Sequence, residues 1–302
     1  RVDKHGNVHI NKKNRIRRFG VADFILLFFL TLFGILILYP FYNAFLVSIV
    51  PNTVYLRYQG LMLWPPEVTM EAYTFTFKSS LIWYGYKSSI LITFFGTIYN
   101  MILTVLCAYA LTKPIPGGKF IRFAIVFTMY FSGGLIPSYL LIKDLKLMDT
   151  IASMILPTGI NIMYMLIISN YFKSLPPALE ESAKIDGATD LRILWSVILP
   201  LSLPLLATFT LYYAVERWNE WYLAMLYVKS VQKWPLQNVL RTIINDVNMM
   251  ATQNIPGQAK PDIQGDSIKM SSIIVAMAPI MCLYPFLQRY FLSGLTLGAV
   301  KE

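Results

Sequence analysis

The amino-acid sequence predicts an all-α integral membrane protein that crosses the bilayer six times, and three observations carry that prediction. Only 14% of the 302 residues are charged, where a soluble domain carries about 25%, and the mean hydropathy is +0.54, so much of the surface faces lipid. A hydrocarbon core of about 30 Å is crossed by about 20 helical residues, and six apolar segments reach that length: 21–50, 88–111, 121–142, 151–171, 199–222 and 268–289. The basic residues behind the formal net charge of +10 cluster beside these segments, which is the pattern of membrane orientation and not of nucleic-acid binding.

Residues 1–20 form a basic tail containing Lys4, Lys12, Lys13, Arg15, Arg17 and Arg18. The apolar run that follows has no small-residue cleavage site after it, so it reads as a retained first helix, long enough to tilt or protrude. The connection after the second span carries Lys113, Lys119 and Arg122 with no acid, around a tight Gly117-Gly118 turn. The positive-inside rule therefore places the N-terminus, this connection, the loop after the fourth span and the C-terminus in the cytoplasm. The loops after the first, third and fifth spans are then outside. Two of these, 51–87 around Trp64-Pro65-Pro66 and 229–267 with Pro256-Gly257 and Gly265, are long enough to be functional. Pro40, Pro137, Pro157, Pro204, Pro279 and Pro285 are tolerated where neighbouring helices re-satisfy freed carbonyls. The domains expected are the tail 1–20, a membrane domain 21–290 and a C-terminal tail 291–302. Cys107 and Cys282 lie in apolar runs and read as free thiols.

The most informative stretch is the loop 174–200. It reads as a short helix, a sharp turn and a second helix leading into the fifth span. Ser174 suits an N-cap, Pro176-Pro177 a first turn, and Glu180 and Glu181 the N-terminal half of a helix. Gly187 suits a left-handed stop. Leu179, Ser182, Ala183 and Asp186 share one side at helical spacing. Small residues at Ser182, Ala183, Gly187 and Ala188 would let another protein approach the backbone closely. A generic amphipathic interfacial helix is the alternative reading of the same pattern.

Near the far end of the fifth span stand Tyr212, Tyr213, Glu216, Trp218, Asn219, Glu220 and Trp221. Sixteen residues separate Pro200 from Glu216, roughly 24 Å of straight helix, which puts Glu216 and Arg217 in the outer part of the bilayer. Charges at that depth face a cavity or each other. Aromatic faces beside amides are what sugar recognition uses, because a pyranose has apolar faces and hydroxyl edges. An interfacial aromatic belt with a Glu–Arg pair is the competing reading.

Catalytic and metal signatures are lacking in the sequence. A phosphate-binding loop needs G-x-x-x-x-G-K-[ST], and around Gly118-Lys119 the required first Gly is Lys113 and the required Ser or Thr is Phe120. His5 and His9 are the two histidines, too few for a metal centre or a triad. A secondary transporter or channel is the main rival, and it is disfavoured by span interiors nearly empty of ionisable residues.

The loop resembles the signature of binding-protein-dependent ABC importer permeases: Glu-Ala-Ala, three residues, Gly, nine residues, then Ile-x-Leu-Pro. Here it stands as Glu181-Ser182-Ala183, Gly187 and Val197-Ile198-Leu199-Pro200, with Ser182 and Val197 the two departures. The string from Leu179 to Ala188 is similar to the sugar branch, and Trp218-Asn219-Glu220 resembles maltose-type permeases. The end from Gln288 to Lys301 resembles the G-type subunit of that group. Ser132-Gly133-Gly134-Leu135-Ile136-Pro137 and the Trp64 region are similar to a subgroup linked to complex plant or algal oligosaccharides.

The resemblance implies a type I ABC importer permease fold and a non-catalytic subunit in the bacterial cytoplasmic membrane. It implies an ATPase-coupling role for Glu180, Glu181, Ser182, Ala183, Asp186, Gly187 and Ala188, and a C-terminal ATPase contact at Gly294 and Gly298. ATP and Mg would sit on the partner ATPase and no cofactor on this chain. The implied partners are a second homologous permease subunit, a cytoplasmic ATPase dimer, membrane lipid and an extracellular or periplasmic sugar-binding protein docking on 229–267. Complex or acidic oligosaccharides of pectin or alginate type are the implied cargo.

Overall fold

A computed structural model describes residues 21–57, 62–252 and 265–299; the tail 1–20 and the tip of the 229–267 segment lie outside the described residues. Among the described residues all regular structure is helical. Helices α1 (Val21–Ser48), α2 (Asn52–Arg57) and α3 (Glu71–Lys78) lead into α4 (Ser80–Ala110). Then come α5 (Gly118–Tyr130), α6 (Leu135–Asp144), α7 (Ala152–Ile155), α8 (Ile162–Ser174), α9 (Pro177–Ile185) and α10 (Asp190–Ile193). A π-helical turn, Leu194–Ile198, joins α10 to α11 (Leu199–Leu201). The order closes with α12 (Leu203–Trp218), α13 (Tyr222–Tyr227), α14 (Leu236–Thr252) and α15 (Asp266–Ala299).

Helix α4 is the axis of the domain. It packs most extensively on α12 and also on α8 and α14. Its inward face mixes small and polar residues at helical spacing, Gly85, Ser89, Gly96, Asn100, Thr104 and Ala108, with Ile82, Ile92 and Val105, while Phe94, Phe95, Ile98, Ile102 and Leu106 point outward and are exposed. This inverts a soluble helix. In lipid, apolar side chains gain nothing by hiding, and small residues let helix backbones approach closely. Gly85 allows a close approach of α14, since a Cβ there would come 3.1 Å from the Leu236 Cα. The apolar window of α1 is unburied along its length, and α1 meets the rest of the domain through α15.

Among the described residues two helices, Asp23–Ser48 and Ser80–Ala110, are long and apolar enough to cross a membrane unaided, and up to five crossings result if each bent pair counts as one. The third, fourth and fifth expected spans are broken. α5 and α6 meet at 109°, the α7 segment and α8 at 51°, and the α10–α11 segment and α12 at 88°. Each break has a local cause. Gly134 turns at φ +90 in Ser132-Gly133-Gly134. Pro157 removes an amide donor at the second break, and Pro204 does so just past Ser202 at the third. The straight-helix depth estimate for Glu216 is corrected accordingly, because α12 starts only at Leu203. The second span starts earlier than expected, at Ser80. The expected polar connector 229–267 contains α14, whose Leu236, Val239 and Leu240 are buried against α4 and α15.

A carboxylate ties two connections together on one side of the domain. Asp149, itself in the left-handed region at φ 57, accepts from the amides of Lys229 at 3.1 Å and Ser230 at 2.9 Å, and from the Ser230 hydroxyl at 2.6 Å. Lys233 Nζ lies 3.2 Å from its second oxygen. The hydrogen bonds from Ser230, with the Lys233 ammonium behind them, hold the Asp149 carboxyl well below the usual carboxylate range. A depressed folded value stabilises the fold above the ordinary carboxylate pKa of about 3.9 and loses that contribution as pH falls toward the folded value. The gap in thermal midpoint between the parent protein and Asp149→Ala in detergent is therefore expected to be constant from about pH 8 to 5 and to shrink below about pH 4. A gap that grows on acidification would contradict the assignment.

Candidate functional site

Two regions carry functional geometry, a hairpin and a cleft. The hairpin is α9–α10. Pro177 opens α9 at its first position, and Thr189 caps α10 by accepting from the Arg192 amide at 3.4 Å. Ser174 does not cap α9 as expected. It is the last residue of α8, and its hydroxyl donates to the Tyr171 carbonyl at 2.7 Å. Gly187 does stop α9 in the left-handed region, at φ +76. Its amide donates to the Lys184 carbonyl and that of Ala188 to the Ala183 carbonyl, both at 3.0 Å. That double closure satisfies the last carbonyls of the helix. A Cβ on Gly187 would meet nothing within 4 Å, so its requirement is torsional and not one of space.

Around this turn Glu181, Ser182 and Asp186 are exposed and Ala183 and Ala188 half-buried. Ala183 and Ala188 rest on the core built by Tyr109, Phe172 and Ile193. Ile185 is 86% exposed and Leu191 and Trp195 are exposed nearby, so the hairpin presents bare apolar groups at its tip. Glu180 faces the other way, into an ion pair with Lys113 at 2.6 Å. Gly294 and Gly298 fall on α15 beyond the residues whose surroundings are described.

The cleft has a volume of about 370 Å³ and is lined by Thr158, Asn161, Tyr213, Glu216, Arg217 and Glu220 among others. Its back wall is Arg217, 4% exposed. The guanidinium donates to the carbonyls of Met154 at 2.8 Å, Ile155 at 3.3 Å and Thr158 at 2.7 Å, and to Asn100 Oδ1 at 2.8 Å. The Asn100 amide in turn donates to the carbonyls of Thr158 at 2.6 Å and Gly159 at 2.8 Å. These carbonyls belong to the segment where the fourth expected span breaks. The Glu–Arg pair of the competing reading is not formed, and no carboxylate lies within salt-bridge distance of Arg217 among the described residues. Instead the positive charge sits at the negative end of the α7 segment. Gly96 makes this possible, since a Cβ there would lie 3.0 Å from Arg217 Cδ.

At the mouth, Glu216 accepts from the Tyr164 hydroxyl at 2.5 Å. Tyr164 belongs to a ring cluster with Phe209 at 5.1 Å and Tyr212 at 5.7 Å between centroids. Tyr212, Tyr164 and Glu216 thus make a half-exposed aromatic face with a carboxylate edge. Of the other expected pathway residues, Tyr213 and Glu220 also line the cleft and the rest are spread through the structure. Tyr213 is buried, its hydroxyl bonded to Thr104 at 2.7 Å and accepting from the Asn161 amide at 2.9 Å. Trp218 packs in the core with Ile82 and Val239. Glu220 accepts from the Leu223 amide at 2.9 Å and so caps α13. Asn219 accepts from Gln237 of α14 at 3.2 Å, and Trp221 lies under Arg241 of α14 at 4.9 Å.

Sequence reasoning missed Tyr164, Asn100 and Lys113 as site residues. A lone amide in the middle of an apolar span was the available signal for Asn100. Tyr164 and Lys113 become visible only through their partners.

The profile of the family described as "Binding-protein-dependent transport system inner membrane component" matches residues 19–296. The chain is 38% identical over 291 residues to the polygalacturonan/rhamnogalacturonan transport system permease protein YtcP of Bacillus subtilis, covering 96% of this chain and 99% of that one. It is 41% identical over 249 residues to the protein LplC of the same organism, covering 82% and 83%. Among solved structures it is similar to a bacterial ABC transporter involved in the import of the acidic polysaccharide alginate, with a TM-score of 0.81, 32% identity, and coverage of 91% of this chain and 98% of that one.

Removing the guanidinium would leave several buried carbonyls and an amide unpaired. Arg217→Met is expected to destabilise the domain by about 3 kcal/mol, read as loss of monodisperse protein after detergent extraction. Gly96→Val, which displaces the same side chain, should do likewise. Normal yield and melting of both variants would remove Arg217 from this role.

Proposed function

Because the chain belongs to the family of binding-protein-dependent transport system inner membrane components, we propose that it forms one half of the membrane pathway of an ATP-driven oligosaccharide importer, moved by a separate ATPase that grips the α9–α10 hairpin. As a member of that family it is a non-catalytic permease component. The observation that carries the hairpin assignment is the left-handed closure at Gly187, set between exposed Ile185 and the small residues Ser182, Ala183 and Ala188. A lever needs a fixed shape and a contact surface, and this turn has both. Glu181 and Asp186 remain exposed to take basic groups or backbone donors of the ATPase.

Six crossings with both termini in the cytoplasm are part of the same proposal. Lys113, in the connection after the second expected span, is ion-paired with the hairpin after the fourth. Asp149, after the third, is bonded to the connection after the fifth. Both pairings join loops that this topology assigns to one face. The exposed apolar flanks of α1 and α5 supply surface for lipid and for a second, homologous permease half. α14 and the segment after it serve a sugar-binding protein outside, and Gly294 and Gly298 serve the ATPase dimer, which carries ATP and Mg. The printed functions of the relatives support an acidic oligosaccharide of pectin or alginate type as cargo. Beside the cleft, the Tyr164–Tyr212 face with the Glu216 carboxylate suits sugar hydroxyls and ring faces.

In proteoliposomes with the ATPase and binding protein, Gly187→Ala is expected to insert normally. Forcing a Cβ into the left-handed region costs about 1–2 kcal/mol, so uptake of oligogalacturonate should fall roughly tenfold while ATP hydrolysis persists. Unchanged uptake would refute the lever. Loss of a charge-assisted hydrogen bond is worth about 1.5 kcal/mol. Tyr164→Phe and Glu216→Gln are therefore expected to raise the sugar concentration that half-stimulates ATP hydrolysis about tenfold, and an unchanged value in both variants would exclude contact.

A further inference from the structure

Lys113 stands three residues past the end of α4, in the turn held by the Lys113 amide on the Ala110 carbonyl at 3.1 Å. Its Nζ donates to Glu180 Oε2 at 2.6 Å, lies 3.4 Å from Asp190 Oδ1, and sits 4.3 Å from the centre of the Tyr109 ring. Glu180 belongs to α9 and Asp190 opens α10. One ammonium therefore holds both arms of the hairpin, on either side of the Gly187 turn. The side chain is 16% exposed, which shields the pair from the screening that makes surface ion pairs weak. Partial burial alone would push the ammonium down, but the hydrogen bond to Glu180 outweighs it and holds the amine above its ordinary value. Arg122 donates to the Leu111 carbonyl at 3.2 Å and pins the same turn to α5.

The other end of this connection is the cleft. Asn100 lies on the same helix, ten residues before its end at Ala110, about 15 Å along the axis. We propose that Lys113 is the positioning residue that fastens the hairpin to α4, so that displacement of the hairpin moves α4 as a rod and reaches the Arg217–Asn100 wall of the cleft. This rests on the reading of α9–α10 as the handle of an ATPase.

The test uses the assembled complex in proteoliposomes, in two preparations. In the first, Ser182→Cys is cross-linked to the ATPase, which reports the handle alone. In the second, with Cys107→Ala and Cys282→Ala as background, Ile160→Cys at the cleft is labelled by maleimide with and without ATP and vanadate. Lys113→Met and, separately, Glu180→Gln are expected to keep the cross-link and ATP hydrolysis but to reduce the nucleotide-induced change in labelling rate by about fivefold or more. Lys113→Arg should restore it, and the double variant Lys113→Met with Glu180→Gln should be no worse than either single. A full nucleotide response in the single variants with the cross-link intact overturns the proposal, as does an additive double variant. Should Lys113→Met fail to assemble, the isosteric Glu180→Gln decides alone. Absence of the cross-link in the unaltered complex overturns the handle reading, and this proposal with it.

Discussion

A helix broken inside a membrane leaves carbonyls in a medium that has no donors to offer, and the rest of this domain is arranged around meeting that demand. At the break between α7 and α8 the donors come from elsewhere in the chain. Arg217 of α12 and Asn100 of α4 between them reach the carbonyls of residues 154, 155, 158 and 159. A guanidinium suits the task because its donors are fixed in a fork and it stays charged when buried. The carbonyl ends of a helix segment offset part of the cost of burying that charge. The consequences spread outward. Gly96 has no side chain because Arg217 occupies that space. Gly159 is similarly confined, since a Cβ there would stand 2.9 Å from Leu103. Tyr213 buries its hydroxyl to receive the amide of Asn161, the residue that caps α8. Three helices are thus registered against one another by polar contacts, where a soluble protein would use apolar packing.

This explains why α4 carries its polar and small residues inward. With lipid outside, leucines between helices add little, whereas a backbone that approaches closely allows Asn100, Thr104 and Ser89 to bond across. Ser89 accepts from the Leu236 amide at 2.9 Å, seating α14 by the same device. The cleft is the by-product of these rules. The span bends because Pro157 and Gly159 interrupt it, the bend opens a wedge beside α12, and the polar groups that repair the bend line that wedge.

The parts of the structure legible in the sequence are those encoded locally. The helical character of the apolar runs, the Gly117 turn of the basic connection and the left-handed stop at Gly187 each depend on a few neighbouring residues, and each takes the expected form. What escaped is long-range. Pro137, Pro157 and Pro204 were visible, but a proline fixes only that a helix is weakened. Whether it kinks by 51° or folds back by 109° depends on which distant groups take the freed carbonyls. The pathway residues show the same limit. Tyr212, Tyr213 and Glu216 are consecutive or nearly so, yet helical rotation turns Tyr213 inward and Glu216 to the cleft mouth, where its partner Tyr164 comes from another helix. α14 escaped because polar composition concealed a short amphipathic stripe, Leu236, Val239 and Leu240, beside the buried polar Asn238.

Mechanical continuity gives the Lys113 contact its weight. The covalent route from the hairpin to the cleft passes through the π-helical turn Leu194–Ile198 and then the 88° elbow before Leu203. That turn is seated on α4 through Leu194 and Ile198, which are buried with Val105 and Ala108, while the elbow beyond it redirects the chain away from a straight line to Glu216. A second attachment at the end of α4 changes the mechanics. With α10 fixed to the elbow and α9 held through Glu180 to Lys113, displacement of the hairpin acts on two helices at once, and those two helices are packed on each other along their length. The load then runs along an unbroken 31-residue helix, the stiffest element available, to the asparagine that shares Arg217 with the cleft.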